Sequence, residues 1–445
     1  MILADKSSKS NNAGARLQEI IRRNRSSDAV GVYAVCSAHP QVIAAAARET
    51  HENDSVLHVE STSSQVNQFG GYTGQTPNQF AEFVHGVARE AGLSSNRILL
   101  GGDHLGPFPW RREPVSAAME KAQELVRACV LAGYQKIHLD ASMACADDPE
   151  RGPDEPTVAD RAAALCETAE NACRELSPNP PSLLYVVGTE VPAPGGESGP
   201  EDAISVTDAA HVQSTLAAFQ RAFQKRQLDD AWNRVIGLVV QPGVEFGENS
   251  VFEYHREKTK ALCSALPTRP ELIYEAHSTD YQLPLALKQM VEDHFAILKV
   301  GPELTFAFRE AIFALSEIEH EMLGGKTARL SNVREVLDSA MLRNPVYWRD
   351  YYHGDEHQLR LSRFYSYSDR CRYYWPEPAV RQEIDLVFEN LTLHPPLLTL
   401  VSQYLPAEYE AIRGGTLAAS PSEIVQHHIR GAVLGKYAAA CGEKK

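Results

Sequence analysis

Eight times between residues 31 and 323, a short apolar run gives way to a polar turn and then to a longer segment of helical periodicity. No other property of this 445-residue chain narrows its fold as far. The runs are GVYAVC (31–36), SVLHVE (55–60), ILLGGD (98–103), KIHLDA (136–141), LLYVVGTE (183–190), VIGLVVQ (235–241), LIYEAH (272–277) and AILKVG (296–301). Each precedes a helical pattern: VIAAAARET, residues 77–92, VSAAMEKAQELVRACVLAG, VADRAAALCETAENACREL, DAAHVQSTLAAFQRAFQKR, SVFEYHREKTKALCSAL, LPLALKQMVEDH and ELTFAFREAIFALSEIEHEML. Such alternation predicts parallel strands joined by right-handed crossovers, and eight units close into an α/β TIM barrel, (β/α)8, with the helices outside. An open doubly wound sheet is the alternative.

The alternation stops near residue 324, where a Gly-Gly pair and a polar turn mark a boundary. The reading is an N-terminal segment with a first helix (1–28), a barrel (29–323) and a helical C-terminal region (324–445) packed on it. Tyr, Trp and Arg crowd residues 346–375. They predict a contact surface, either for a partner or for the barrel of the same chain.

A formal net charge of −15, with no Lys/Arg-rich run, argues against nucleic acid as a partner. The N-terminus is polar where a signal peptide needs an apolar stretch, and no segment offers about 18 uninterrupted apolar residues. A cytoplasmic protein without membrane contact is expected. The eight cysteines are scattered without a CxxC, which predicts reduced structural thiols.

Chemistry is sought at the C-terminal strand ends, because these converge on one mouth of a barrel. They carry Glu60 with Ser61, Asp103 with His104, Asp140, Glu190, Gln241 with nearby Glu245, His277 with Ser278, and Lys299. An ionisable group ending a doubly buried strand costs several kcal/mol if unpaired, so something must compensate. A divalent metal, zinc or else manganese, would do so, with His104, Glu190 and His277 as ligands and Glu245 as a fourth. A metal-free hydrogen-bond network of the same residues is the alternative. Asp103 is the candidate proton acceptor. Lys299 is the second catalytic candidate, as a Schiff-base nucleophile, although a salt bridge to a mouth carboxylate is the simpler role. Glu60, Asp140, Gln241, Ser278 and Asp280 are candidate substrate contacts. His138, two positions before Asp140, reads as a satisfied core histidine.

FGGYTG (69–74) and APGGESG (193–199) fall on mouth-side loops and could cradle a phosphate or close over substrate, or simply be flexible. GGKT (324–327) has the end of a phosphate-binding P-loop, but His320 stands where its first glycine belongs and a helix precedes it. No nucleotide cofactor is expected.

Taken together, HVESTSSQVNQFGGYTG, LLGGDHLGP, IHLDAS, VVGTEVPAPGGE, VQPGVEFG, YEAHSTDYQ and LKVGPELTFAFREA resemble the GatZ/KbaZ family from about residue 18 to 440. The resemblance implies an accessory-type subunit of D-tagatose-1,6-bisphosphate aldolase in galactitol and N-acetylgalactosamine catabolism, related in fold to class II aldolases. It implies Asp103 as catalytic residue and His104, Glu190 and His277 around a zinc ion. Where class II enzymes carry a further histidine this chain has Glu245, and their glycine-serine phosphate segment reads Ser278-Thr279-Asp280. Both departures count against ordinary bisphosphate aldolase activity. The implied partners are a sugar or sugar phosphate, a catalytic aldolase subunit and further copies in an oligomer. An autonomous metal-dependent epimerase or retro-aldolase acting on a ketose or ketohexuronate is the alternative, and the family's other label, tagatose-6-phosphate kinase, lacks a nucleotide motif here.

Overall fold

The apolar runs form eight strands: β1 (Val32–Val35), β2 (Leu57–Thr62), β3 (Ile98–Leu105), β4 (Lys136–Leu139), β5 (Leu184–Val187), β6 (Val235–Val239), β7 (Ile273–Ala276) and β8 (Phe295–Val300). Parallel strands rich in Val, Ile and Leu need cover on both faces. They obtain it by closing into a barrel, each strand pairing in parallel with its neighbours in sequence and β8 returning to β1 with Val32 opposite Ile297. The structure, a computed structural model, describes residues 12–176, 182–189, 204–325 and 329–442.

Helix α1 (Ala13–Arg25) precedes the barrel, and one helix covers each strand in turn: α2 (Pro40–Glu52), α3 (Pro77–Glu90), α4 (Val115–Leu131), α5 (Glu155–Leu176), α6 (Ala209–Lys225), α7 (Arg256–Ala265), α8 (Pro284–Glu292) and α9 (Pro302–Leu323). Local chemistry sets their starts. At α3, Thr76 and Gln79 exchange side-chain and backbone hydrogen bonds in a capping box, and Pro77 occupies the first turn. The pattern read as a helix from residue 250 becomes one only at Arg256. Val251 and Phe252 instead pair antiparallel with Glu245 and Phe246, and the Gly247 N–H donates to the Ser250 carbonyl to close the turn. Two apolar residues in a row fit either period, so the pattern alone could not separate the outcomes.

The two ends of the barrel differ. Ala13, Leu17 and Ile21 on one face of α1 pack against Val32, Val56, Leu99, Leu184, Ile236 and Ile273, the inward residues at the strand starts. Helix α1 is thus an apolar stopper in the N-terminal end. Asn12 caps it by accepting from the Ala15 N–H, and Asn24 ties its far end down by donating to the carbonyls of Val30 and Val291. With that end closed, the C-terminal mouth is left for function.

Beyond α9 run α10 (Val333–Arg343), α11 (Glu356–Tyr365), α12 (Pro378–Leu393), α13 (Leu398–Tyr404), α14 (Pro406–Arg413), α15 (Pro421–Ile429) and α16 (Gly435–Ala440), the last two joined by a π-helical turn over Arg430–Leu434. Helix α15 packs on α2 and α9, and α16 on α8, so the barrel and the C-terminal helices share one apolar core. Polar ties reinforce it. Arg48 donates through both terminal nitrogens to Glu423 at 2.5 and 2.6 Å, and the Tyr437 hydroxyl donates to the Thr279 carbonyl at 2.7 Å. All eight cysteines are free thiols. Among the described residues no helix is long and apolar enough to cross a membrane.

Leu17 is completely buried in the stopper. Leu17→Ala should therefore destabilise the chain by about 2–5 kcal/mol in urea unfolding; an unshifted midpoint would mean that α1 does not seal the barrel.

Candidate active site

Strand alternation sorts the barrel interior into layers. Above the apolar layer on α1, the inward positions carry His58 and Glu60 (β2), Gly101 and Asp103 (β3), Lys136 and His138 (β4), Glu275 with His277 just beyond (β7), and Lys299 (β8). Lys136 and Glu60, both fully buried, form an ion pair, and Lys136 lies 2.6 Å from Glu275. His58 Nε2 is 2.8 Å from Glu60. Room for a carboxylate at this depth comes from Gly101, where a Cβ would approach Glu60 Cγ to 2.9 Å.

One layer up, Lys299 contacts Asp103 and lies 2.6 Å from Glu60 and 3.7 Å from Glu275. His138 Nδ1 is 3.0 Å from Asp103, His277 Nε2 is 2.9 Å from Glu275, and His104 Nδ1 is 2.9 Å from Asp140. The rings of His104, His138 and His277 stand 5.0–5.2 Å apart between centroids. Alternation alone would turn His104 away from its neighbour Asp103, out among the helices. Its backbone adopts the left-handed region instead, at φ 47°, and this puts both side chains at the mouth. The conformation costs roughly 1–2 kcal/mol, a kind of strain that concentrates at functional sites.

Burial opposes ionisation of every carboxyl here, yet each is held well below its usual pKa. Lys136 and Lys299 outweigh burial at Glu60 and Glu275, His104 and Lys299 do so at Asp103, and the hydrogen bond from His104 does so at Asp140. Lys299 is held well above its ordinary range, because Asp103 and Glu60 overcome the burial that would lower it. It is an ammonium, the opposite of the neutral amine that a Schiff-base nucleophile requires. Burial and then Lys299 push His277 down to about 3, so its imidazole is neutral. At His104 burial loses to Asp103 and Asp140, and the pKa rises.

The donor set suits a cation. Ligand atoms of Asp103, His138, Glu275 and His277 all lie within 4.8 Å of one another. His138 Nδ1 lies 3.0 Å from Asp103 and also accepts from the His104 N–H at 3.2 Å, while its buried Nε2 has no hydrogen-bond partner. His277, neutral and donating through Nε2, keeps a lone pair on Nδ1. Four buried carboxylates face two ammonium groups and His104, whose charged form Asp103 and Asp140 favour, so the cluster keeps a smaller excess of negative charge that a cation would balance. This set differs from the ligands expected from the strand ends. His277 is common to both, and His104 stands alongside but spends Nδ1 on Asp140. Glu245 falls outside the set, accepting from the Phe246 N–H in the short ribbon. Glu190 lies outside the described residues, as does the 193–199 glycine-rich loop. His138 is a core residue by burial but not a satisfied one. His138 and Glu275 were each detectable as the residue two positions before a strand-end candidate, on the same face.

Above the cluster opens a cavity of about 520 Å³ with Asp103, His104, His277 and Lys299 on its floor. Ser278 and Asp280 also line it. Asp280 accepts from the N–H groups of Gly301 and Glu303, both at 2.9 Å, at the start of α9; burial and then Glu303 raise its pKa to about 7. Glu60 and Asp140 lie beneath the floor, bound to the lysines and to His104. Gln241 accepts from the N–H groups of Gly243 and Val244 and closes a turn. These three candidate substrate contacts therefore support the site rather than line it.

The walls include Gly71 and Tyr72 of the FGGYTG loop, and the roof is Val346, Tyr347, Tyr351, Arg370, Arg372 and Tyr373. The aromatic and arginine-rich segment thus faces the mouth of its own chain. Arg370 lies over the Tyr351 ring and donates to the Tyr347 carbonyl, and Arg372 donates to the Asp369 carbonyl and the Tyr373 hydroxyl. Burial alone would raise the pKa of Tyr373, but Arg372 and Arg370 pull it below the ordinary value, a sign of strongly positive potential. Exposed Arg111 and Arg112 add charge at the rim. The floor is anionic and the roof cationic. Nothing in the sequence placed 370–373 over the mouth.

The family model described as D-tagatose-1,6-bisphosphate aldolase subunit GatZ/KbaZ-like matches residues 17–442. A crystal structure described as a probable tagatose 6 phosphate kinase from Sinorhizobium meliloti 1021 is 40% identical, with a TM-score of 0.84 over 92% of this chain and 100% of that one. Remoter similarities are a fructose-bisphosphate aldolase from Campylobacter jejuni, at 14% identity and TM-score 0.41 over 86% of this chain and 93% of that one, and the YdjI aldolase from Escherichia coli K12, at 10% and 0.40 over 83% and 96%. With a family match over nearly its whole length and a 40% identical structure over most of it, the chain belongs to the D-tagatose-1,6-bisphosphate aldolase subunit GatZ/KbaZ-like family.

Proposed function

We propose that this chain serves carbohydrate catabolism as an aldolase-type protein of the tagatose-bisphosphate system, with a working site of its own for a ketose phosphate at the barrel mouth. The observation that carries this reading is the floor of the cavity: His277 and an ionised Asp103 face a pocket with a cationic roof, and the fully buried His138 and Glu275 complete a four-residue donor set with them. A decayed site has no reason to retain a strained His104 and an unpartnered buried imidazole nitrogen.

Asp103 accepts the hydroxyl proton of the substrate when the carbon–carbon bond beyond it breaks, and Lys299 and His138 hold its carboxylate in place for that transfer. A divalent ion, zinc or manganese by the mixture of imidazole and carboxylate donors, would be held by His138, Glu275 and His277 and would supply a Lewis acid for the substrate carbonyl oxygen. Arg370 and Arg372, with Arg111 and Arg112 at the rim, attract the phosphate end, so the substrate lies with its anionic group at the roof and its carbonyl at the floor. Proton transfer at carbon in the same arrangement would give epimerisation. The accessory role beside a catalytic aldolase chain is favoured by one feature: Lys299 already neutralises Asp103 and Glu60 from within the cluster, which can therefore persist without an ion.

Elemental analysis of the purified chain should find about one divalent ion per chain, lost in His138→Ala and His277→Ala; metal-free protein that still turns over would exclude the metal. Cleavage of D-tagatose 1,6-bisphosphate by the chain alone should fall about 10²–10⁴-fold in Asp103→Asn with the thermal unfolding curve preserved. If the chain alone is inactive and stimulates an aldolase partner equally with and without Asp103→Asn, the accessory reading replaces this one. Arg372→Ala should raise KM for the phosphorylated sugar about tenfold and leave that for the free sugar nearly unchanged; an equal rise for both would remove the phosphate from the roof.

A further inference from the structure

A second cavity adjoins the first. It measures about 350 Å³ and lies between the loops after β1 and β2 and helix α12, sharing Tyr72 and Arg372 as a common wall with the catalytic cavity. That size falls within the range of small-molecule sites, and such sites combine apolar walls with a few placed polar groups. Here the walls are Phe83, Trp375, Ile384 and Phe388.

Two buried polar atoms on lining residues have no hydrogen-bond partner: Trp375 Nε1 and His39 Nδ1. Trp375 is only 2% exposed. The two rings are locked by Phe308 between them, whose centroid lies 3.9 Å from that of His39 and 5.2 Å from that of Trp375 in an edge-on contact. Neither can turn away to find a partner without breaking this packing. Buried N–H groups without an acceptor are rare in folded proteins, and at a cavity wall the acceptor has to come from the occupant.

The lining also restricts the charge of that occupant. Arg381 and Asp385, one turn apart on the exposed side of α12, are of opposite sign. Arg372 already donates to the Asp369 carbonyl and the Tyr373 hydroxyl. Among the described residues, neither His39 nor Asp385 belongs to a group with metal-holding spacing. What fits is an uncharged organic molecule with a face for Phe83 and Phe388, an acceptor for the indole N–H and a hydroxyl for the imidazole. We infer that this cavity is a second ligand site, for a neutral monosaccharide, beside the catalytic one. A sugar bound there touches Tyr72, whose ring packs 4.7 Å from that of Tyr373 in the catalytic roof.

D-tagatose, titrated calorimetrically into the full chain, is the probe. Saturable binding should survive Asp103→Asn, weaken about tenfold in Trp375→Phe, which keeps a ring and removes the N–H, and vanish in Phe388→Trp, which fills the cavity from a half-buried position. Thermal unfolding checks that each variant is folded. Absence of saturable binding to the unsubstituted chain overturns the inference, as does binding that is lost with Asp103→Asn or is unchanged in both Trp375→Phe and Phe388→Trp. The readout is binding rather than turnover, so a chain that cleaves no ketose would leave the result interpretable.

Discussion

Lys136 and Lys299 stand inside the barrel at 0% and 4% exposure, where an ammonium without a partner could not stay charged. Glu60, Asp103 and Glu275 meet them there, and each carboxylate is as dependent on the lysines as they are on it. Removing one partner from such a network costs about 3–5 kcal/mol, because the others are left buried and uncompensated. The barrel interior is therefore a stack, with an apolar base sealed by α1, a charged middle, and a top whose groups largely set one another's ionisation states. Asp103 is ionised because His104 and Lys299 outweigh its burial, Lys299 is an ammonium because Asp103 and Glu60 outweigh its own, and His277 is neutral because burial and then Lys299 disfavour its charge.

That dependence explains a division of labour among residues that look alike in sequence. Glu60 and Asp140 end strands just as Asp103 does, yet both are consumed in holding Lys299 and His104. Asp280 reads as a mouth carboxylate, but its oxygen is given to the first N–H groups of α9. Stability and chemistry draw on the same residue types at the same strand ends, and only the partner decides which purpose a given carboxylate serves.

The C-terminal region completes the site instead of standing apart from it. Its helices share the apolar core of the barrel, and the segment between α10 and α12 brings two arginines and three tyrosines over the mouth. A barrel mouth rich in carboxylates repels anions. The arginines reverse the potential a short distance above the floor, so that one end of a ligand meets negative charge and the other positive. The same segment also walls the second cavity, through Trp375 and through Arg372, which lines both.

From the sequence alone, the eight strands and their helices are readable, because periods of 2 and 3.6 residues are local and burial on both faces writes itself as runs of Val, Ile and Leu. The strand ends Asp103, His104, His277 and Lys299 are readable for the same reason, since polarity there has no local justification. Lys136, His138 and Glu275 are harder, because they sit inside runs that otherwise look apolar and their partners lie far away in the chain. The ribbon at 245–252, the left-handed turn that brings His104 back to the mouth, and the placement of Arg370 and Arg372 over the floor follow from tertiary structure only. Local patterns record which face of an element is buried. Which charges meet across the barrel is decided by closure of the sheet and by the path of the C-terminal helices, and neither has a local signature.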